Sequence, residues 1–330
     1  MEDDAKYNAL DMHGFFKIIK VRRIKVKDNL DLATFIDVLK DKFQTHNQNS
    51  KSKIKFKLIK DIQYPPEITK KKRYSSFAEN IIIVEYSREI IPEDTHYEKV
   101  NGEYVKITEI IKDYIFIIYP ELIAFKGNKQ NFSKVWKDFN IILNDKVKVI
   151  KDYSFNVEFF MYLLEKAMFN KPLIRDDFKI IFIEDLLFDG RENSVREILE
   201  AKHLIYIILS RYVIMKLLGN NKPIECIFYI FLSDWKYSIK IDRIGKIEFF
   251  QNKTDFKKAS HNLRAFLGCY FIEHLISLND FWINLNSMDK YISINFITNL
   301  KRHLKIEEGI DFSKEALDMI NYYINKRKEE

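Results

Sequence analysis

At 330 residues and 47% hydrophobic, the chain is long enough to bury the cores of two domains, and 15% aromatic content excludes a disordered composition. Eight glycines and six prolines leave no G-x-G-x-x-G, Walker A or G-x-S-x-G segment, and two cysteines outside any C-x-x-C pair exclude a secreted disulfide scaffold. The positive excess lies wholly at the front: residues 1–75 hold 18 Lys+Arg against 10 Asp+Glu, a balance of +8, while the full chain is +7.

Lys, Asn, Ile, Phe and Tyr are abundant together, as AT-rich coding produces, which accounts for the pI near 9.0 but not for basic residues concentrated at one end. The amino terminus, Met1-Glu2-Asp3-Asp4, is acidic where a secretory leader is basic. The most apolar run, Leu204–Leu218, is broken by Ser210, Arg211 and Lys216, short of the ~20 apolar residues a membrane span needs. These features predict a cytoplasmic protein with no membrane partner.

Phe15–Lys27 reads as a strand bulged at the Arg22-Arg23 doublet, followed by a helix carrying Leu32, Phe35, Ile36, Leu39 and Phe43 behind an Asn29 or Asp31 cap. After a polar loop at 46–51, Lys53-Ile54-Lys55-Phe56-Lys57-Leu58 alternates strictly, one face apolar and the other lysine. Pro65-Pro66 ends that strand, and Lys70-Lys71-Lys72-Arg73 reads as a basic loop. Ile81–Tyr86 is a short strand, Asn101-Gly102 a hairpin turn, and Tyr114–Phe125 an apolar strand split at Pro120. A helix behind Ser133 follows, burying Val135, Trp136, Phe139, Ile142 and Leu143. A strand at 146–150 and a helix at 156–168 complete the front half, with the boundary expected at Asn170-Lys171-Pro172.

Phe178–Ile183 opens the second half as a strand. Beyond the Asp189-Gly190 turn, Asn193 or Ser194 begins a helix to about Lys202, and 205–218 is ambiguous between helix and buried strand. Strands at 224–232, 237–242 and 246–250 form a meander with a tight turn at 243–245. A long helix spans 255–278, Phe281–Leu285 reads as an apolar loop, and a closing helix runs from Ser313 to about Lys328, with Ala316, Leu317, Ile320 and Tyr323 or Ile324 inward. Strands grouped with helices, without regular βαβ alternation, predict an α+β fold. It is expected as two mixed parts, 1–170 and 171–330, each an antiparallel or mixed sheet packed by helices.

The leading functional reading is a non-catalytic nucleic-acid-binding or accessory protein. Lysines two apart on a strand stand about 7 Å apart and can follow a phosphodiester backbone. The candidate contacts are Lys20, Arg22, Arg23, Lys25, Lys53, Lys55, Lys57, Lys70, Lys71, Lys72 and Arg73, with Tyr64 and Tyr74 available for stacking on DNA or RNA single strands. The same lysines equally suit a solvated sheet edge.

Asp189 followed by Glu200-Ala201-Lys202 loosely resembles the PD-(D/E)xK nucleases, which implies two metal-holding carboxylates and a lysine that steadies the attacking water or the scissile phosphate; this is the alternative reading. That chemistry requires a strand, whereas Val195, Ile198, Leu199 and Lys202 recur at helical spacing. Arg196 and His203 match the loose spacing of HEPN-type ribonucleases, a family that is all-helical. No two of the seven histidines stand at i, i+4, and Asp176-Asp177 and Glu184-Asp185 read as solvated strand ends. No catalytic residue, metal site or cofactor is assigned. A third reading is a protein–protein accessory subunit of a defence or mobile-element system, docking a larger partner through aromatic residues such as Phe281 and Trp282.

Overall fold

The computed structural model describes residues 16–27, 30–49, 54–59, 62–90, 97–100, 103–106, 109–127, 129–143, 145–188, 211–219, 221–250, 255, 259–308 and 313–328. In chain order the elements begin β1 (Phe16–Val26), α1 (Leu32–Asn49), β2 (Ile54–Ile59), α2 (Pro66–Thr69), α3 (Lys72–Glu79) and β3 (Ile81–Ile90). They continue as β4 (Tyr97–Val100), β5 (Glu103–Lys106), β6 (Glu109–Ile118), β7 (Leu122–Lys126), α4 (Lys129–Leu143) and β8 (Val147–Asp152). Next come α5 (Val157–Met168), β9 (Phe178–Phe188), α6 (Arg211–Leu218), β10 (Pro223–Leu232), β11 (Trp235–Asp242) and β12 (Ile247–Phe249). Four helices close the chain: α7 (His261–Ile283), α8 (Ser287–Lys290), α9 (Ile294–Glu308) and α10 (Ser313–Lys328). The fold is α+β, and the paired strands are antiparallel.

The chain forms two compact units, residues 1–153 with 259–270, and residues 154–258 with 271–330. Asn170-Lys171-Pro172 falls within the second unit, where Asn170 takes a left-handed conformation (φ 49°) just past α5. This is the geometry with which helices stop, so the stretch ends α5 and the chain returns as β9, on which α5 packs.

In the first unit the strand order is β2-β3-β6-β7-β1, with β8 also paired to β1. Helices α1 and α4 cover one face through Phe35, Leu39, Phe43, Val135 and Phe139, packed on Ile24, Phe56, Val84, Ile117 and Phe125. The ring of Phe56 lies 5.6 Å from both Phe43 and Phe139. Asp31 caps α1, its Oδ1 accepting the Thr34 N–H at 2.8 Å. The helix extends through the expected polar loop because Asn47 in its last turn holds β2: Nδ2 donates to the Phe56 carbonyl (2.7 Å), and Oδ1 accepts the Phe56 N–H (3.0 Å). Both bonds use the backbone edge of β2 that β3 leaves open, the edge a foreign strand would pair with.

On the other face, Phe16 and Phe116 meet at 5.6 Å, and a Cβ on Gly268 of α7 would lie 2.5 Å from the Phe16 ring. The expected split at Pro120 produces the β6–β7 hairpin around a cis Tyr119–Pro120 peptide, and the Asn-Gly hairpin is β4–β5. Helix α4 starts ahead of Ser133, which is therefore internal, but the expected buried stripe is present, with Trp136 only half-buried.

The second unit has the order β12-β11-β10-β9. Asn156 caps α5, as its Oδ1 accepts the Glu158 N–H at 2.9 Å. Phe271 of α7 lies 5.0 Å from Tyr237 and 5.6 Å from Phe249. The ambiguous 205–218 stretch is helical over its described part. Phe281–Leu285, expected as a loop, begins as the last turn of α7: Trp282 is buried and donates to the Lys290 carbonyl at 2.9 Å. In α10, Ala316 and Tyr323 are buried as expected, joined by Met319, whereas Leu317 is 55% exposed.

Beneath α10 lies a charged cluster. Glu158, 7% exposed, accepts hydrogen bonds from Tyr323 (2.7 Å), Tyr322 (3.3 Å) and Lys222, which itself contacts Tyr322 at 3.0 Å. Desolvation pulls the Lys222 pKa down, but the bonds to Glu158 and Tyr322 outweigh it and hold the pKa above 10.5.

Candidate nucleic-acid interface

The candidate basic residues divide into two sets. On β1, Lys20 and Arg22 both reach Asp152, Lys20 Nζ at 3.3 Å and Arg22 Nε at 2.8 Å. The Arg22 guanidinium also lies 3.9 Å over Trp136 and 5.2 Å over Phe132. Burial lowers the Arg22 pKa, with Asp152 acting in the opposite direction. Arg23, the next residue, lies 5.6 Å over Tyr153 with Glu121 at 3.9 Å. Strand geometry sends consecutive side chains to opposite faces, so the doublet cannot present both guanidinium groups to one ligand. Lys25 is exposed, and Lys53 lies outside the described residues.

The second set is outward-facing. Lys55 and Lys57 are exposed on the face of β2 opposite Ile54 and Phe56. They pair in register with Ser87 and Glu85, and β6 places Lys112 beyond Ser87, with its Nζ 3.7 Å from Glu85. Lys70 to Arg73, expected as a loop, form the α2–α3 junction: Lys72 and Arg73 are the first residues of α3, and all four are exposed. The junction is anchored from below, where buried Tyr74 and half-buried Phe77 pack edge-on to Phe266 and Tyr270 at 5.3–5.8 Å. Tyr74 is 0% exposed and accepts a 2.7 Å bond from Arg73, so its ring is a core group and offers no stacking surface to a base. Tyr64 is likewise committed to Phe266, ring centroids 5.9 Å apart.

Both outward segments border one cavity of about 470 Å³. Ile36, Leu58, Ile59, Ile62, Ile68 and Ile82 supply apolar wall. Lys40, Thr69, Ser75 and Glu79 add polar groups, and Tyr64, Ala78 and Ile81 complete the lining. The Tyr64 hydroxyl is buried without a hydrogen-bond partner among the described residues, and desolvation raises its pKa, so it is a neutral donor. Sequence reading missed this cavity, Lys40 and Lys112. Only strand register and the return of residues 259–270 to the first unit bring these parts together.

Asp189, Glu200, Lys202, Arg196 and His203 lie outside the described residues. Asp177 pairs with Arg175 and accepts from Ser233 at 3.1 Å, and no group of three or more metal-binding side chains occurs among the described residues. Among those residues no helix is long and apolar enough to cross a membrane. No family model matches the chain, and no curated protein matches its sequence.

Proposed function

We propose that the protein is a non-catalytic nucleic-acid-binding or accessory protein that grips phosphate backbones through the outward basic surface of its first unit. Lys55, Lys57, Lys70, Lys71 and Lys72 carry the contact, while Lys20, Arg22, Arg23 and Arg73, whose guanidinium bonds to buried Tyr74, serve the fold. One observation carries this reading: β2 and the α2–α3 junction, which hold these exposed cations, border the same cavity. Binding is electrostatic, largely independent of sequence and steeply salt-dependent, because each phosphate contact releases condensed counterions. A reducing cytoplasmic setting suits the chain, whose Cys226 and Cys269 are free and buried.

The test is fluorescence anisotropy of the full chain with labelled DNA and RNA strands across a salt series. Joint Lys55→Glu, Lys57→Glu, Lys70→Glu and Lys72→Glu reversal is expected to weaken binding more than tenfold. The log–log salt slope falls by roughly 0.7 for each single-strand phosphate that the variant no longer neutralises. Undiminished binding by a variant with an unchanged melting temperature would remove the proposal.

A further inference from the structure

We infer that the cavity between β2 and the α2–α3 junction receives one unstacked, amino-bearing nucleobase, so that the surface selects single-stranded over duplex nucleic acid. This rests on the basic surface acting as the phosphate binder. At about 470 Å³ the cavity falls within the roughly 300–1,000 Å³ typical of small-ligand sites. Its branched aliphatic walls, Ile36, Leu58, Ile59 and Ile62, suit the faces of a flat ring. The polar lining suits a base edge: the Thr69 hydroxyl donates or accepts, Ser75 Oγ, which donates to the Lys72 carbonyl at 3.1 Å, can accept, Lys40 is paired with Asp37, and the Glu79 carboxylate only accepts. An acceptor-only group favours the exocyclic amino group of cytosine or adenine over the carbonyls of thymine or uracil.

Charge selects a nucleotide over a plain apolar ligand. Lys57 leaves β2 on the same side as Ile59 of the cavity wall, and Lys70 directly follows Thr69 of the opposing wall. Lys72 precedes Ser75 by one turn of α3. A base seated in the cavity therefore has cations available for phosphates on both sides of it. A duplex conceals base faces by stacking and must extrude a nucleotide to reach the same pocket.

The experiment measures full-chain affinity at one salt concentration for four probes: oligo(dC), oligo(dT), an abasic strand of equal length and phosphate count, and a duplex. Oligo(dC) is expected to bind at least tenfold tighter than the abasic strand and severalfold tighter than oligo(dT) and the duplex. Ile59→Trp, which fills the cavity, lowers oligo(dC) to the abasic level and leaves abasic binding unchanged. Because Ile59→Trp can disturb packing, the exposed Glu79→Gln serves as the second variant and erases the oligo(dC) preference over oligo(dT). Equal affinity for abasic and oligo(dC) strands overturns the inference while the phosphate-binding surface stands. Absence of binding to any of the four overturns both.

Discussion

On β1, Lys20 and Arg22 close on Asp152 and Arg22 lies flat over Trp136, whereas Lys55 and Lys57 on β2 and Lys70 and Lys72 at the α2–α3 junction are exposed. The residue types are alike, and both regions belong to the same basic front of the chain. Their difference is the company that tertiary structure supplies. A guanidinium half-buried between a carboxylate and an indole is a packing element, and displacing its partners for a phosphate forfeits both interactions. A lysine on an edge strand forfeits little by exchanging water and counterions for a polyanion. A basic residue therefore counts toward an interface only after its internal partners have been subtracted.

The contrast can be sharpened at its internal extreme, the Glu158 cluster of the second unit. Glu158→Ala leaves Lys222 and two tyrosine hydroxyls without their shared acceptor. Urea unfolding is expected to show a loss of about 3–5 kcal/mol, with nucleic-acid affinity unchanged under conditions where the variant is folded. The same cluster gives a pH signature. Because Lys222 has a higher pKa folded than unfolded, its stabilisation is complete below about 10.5 and is lost as pH rises through the folded value. Thermal melts at rising alkaline pH are expected to fall more steeply in the wild type than in Lys222→Met.

Arg22→Ala comes next, with an expected cost of about 1.5–3 kcal/mol from removing the charge-assisted bonds to Asp152. Affinity for oligo(dC) stays at the wild-type level. A fall in affinity as large as that of Lys57→Ala, at unchanged stability, would break the comparison. Asn47→Ala is smaller, about 1–2 kcal/mol for the two bonds to the Phe56 backbone, and opens the β2 edge beside the lysine row. Self-association detected by light scattering would show that Asn47 guards that edge. Lys55→Ala and Lys57→Ala have the smallest structural effect: the melting temperature stays put while affinity and salt slope both fall.

Much of the local structure was legible in the sequence because the signals are local. The alternation at 54–58 yields β2, Asn101-Gly102 the β4–β5 hairpin, Asp31, one of two candidates, the cap of α1, and Pro120 the break between β6 and β7. The failures share a cause. Helix α1 runs past its polar tail because Asn47 finds a partner across the sheet edge, and the tetrad at 70–73 enters a helix because Tyr74 and Phe77 find Phe266 and Tyr270 far along the chain. Helices α8 and α9 carried no sequence assignment. α8 is a single short turn, and α9 takes its start from Ser293, which bonds to Glu165 of a distant helix.

By itself the sequence determined the α+β class, the hairpin and meander turns and the concentration of positive charge in the first 75 residues, since composition and short-range periodicity suffice for these. Tertiary structure alone decided which charges remain available. Asp152 and Trp136 reach Arg22 from far down the chain, and burial by residues 259–270 turns Tyr74 into a core group. Whether a side chain meets a partner or solvent depends on contacts between distant segments, and no short window of sequence contains both members of such a pair.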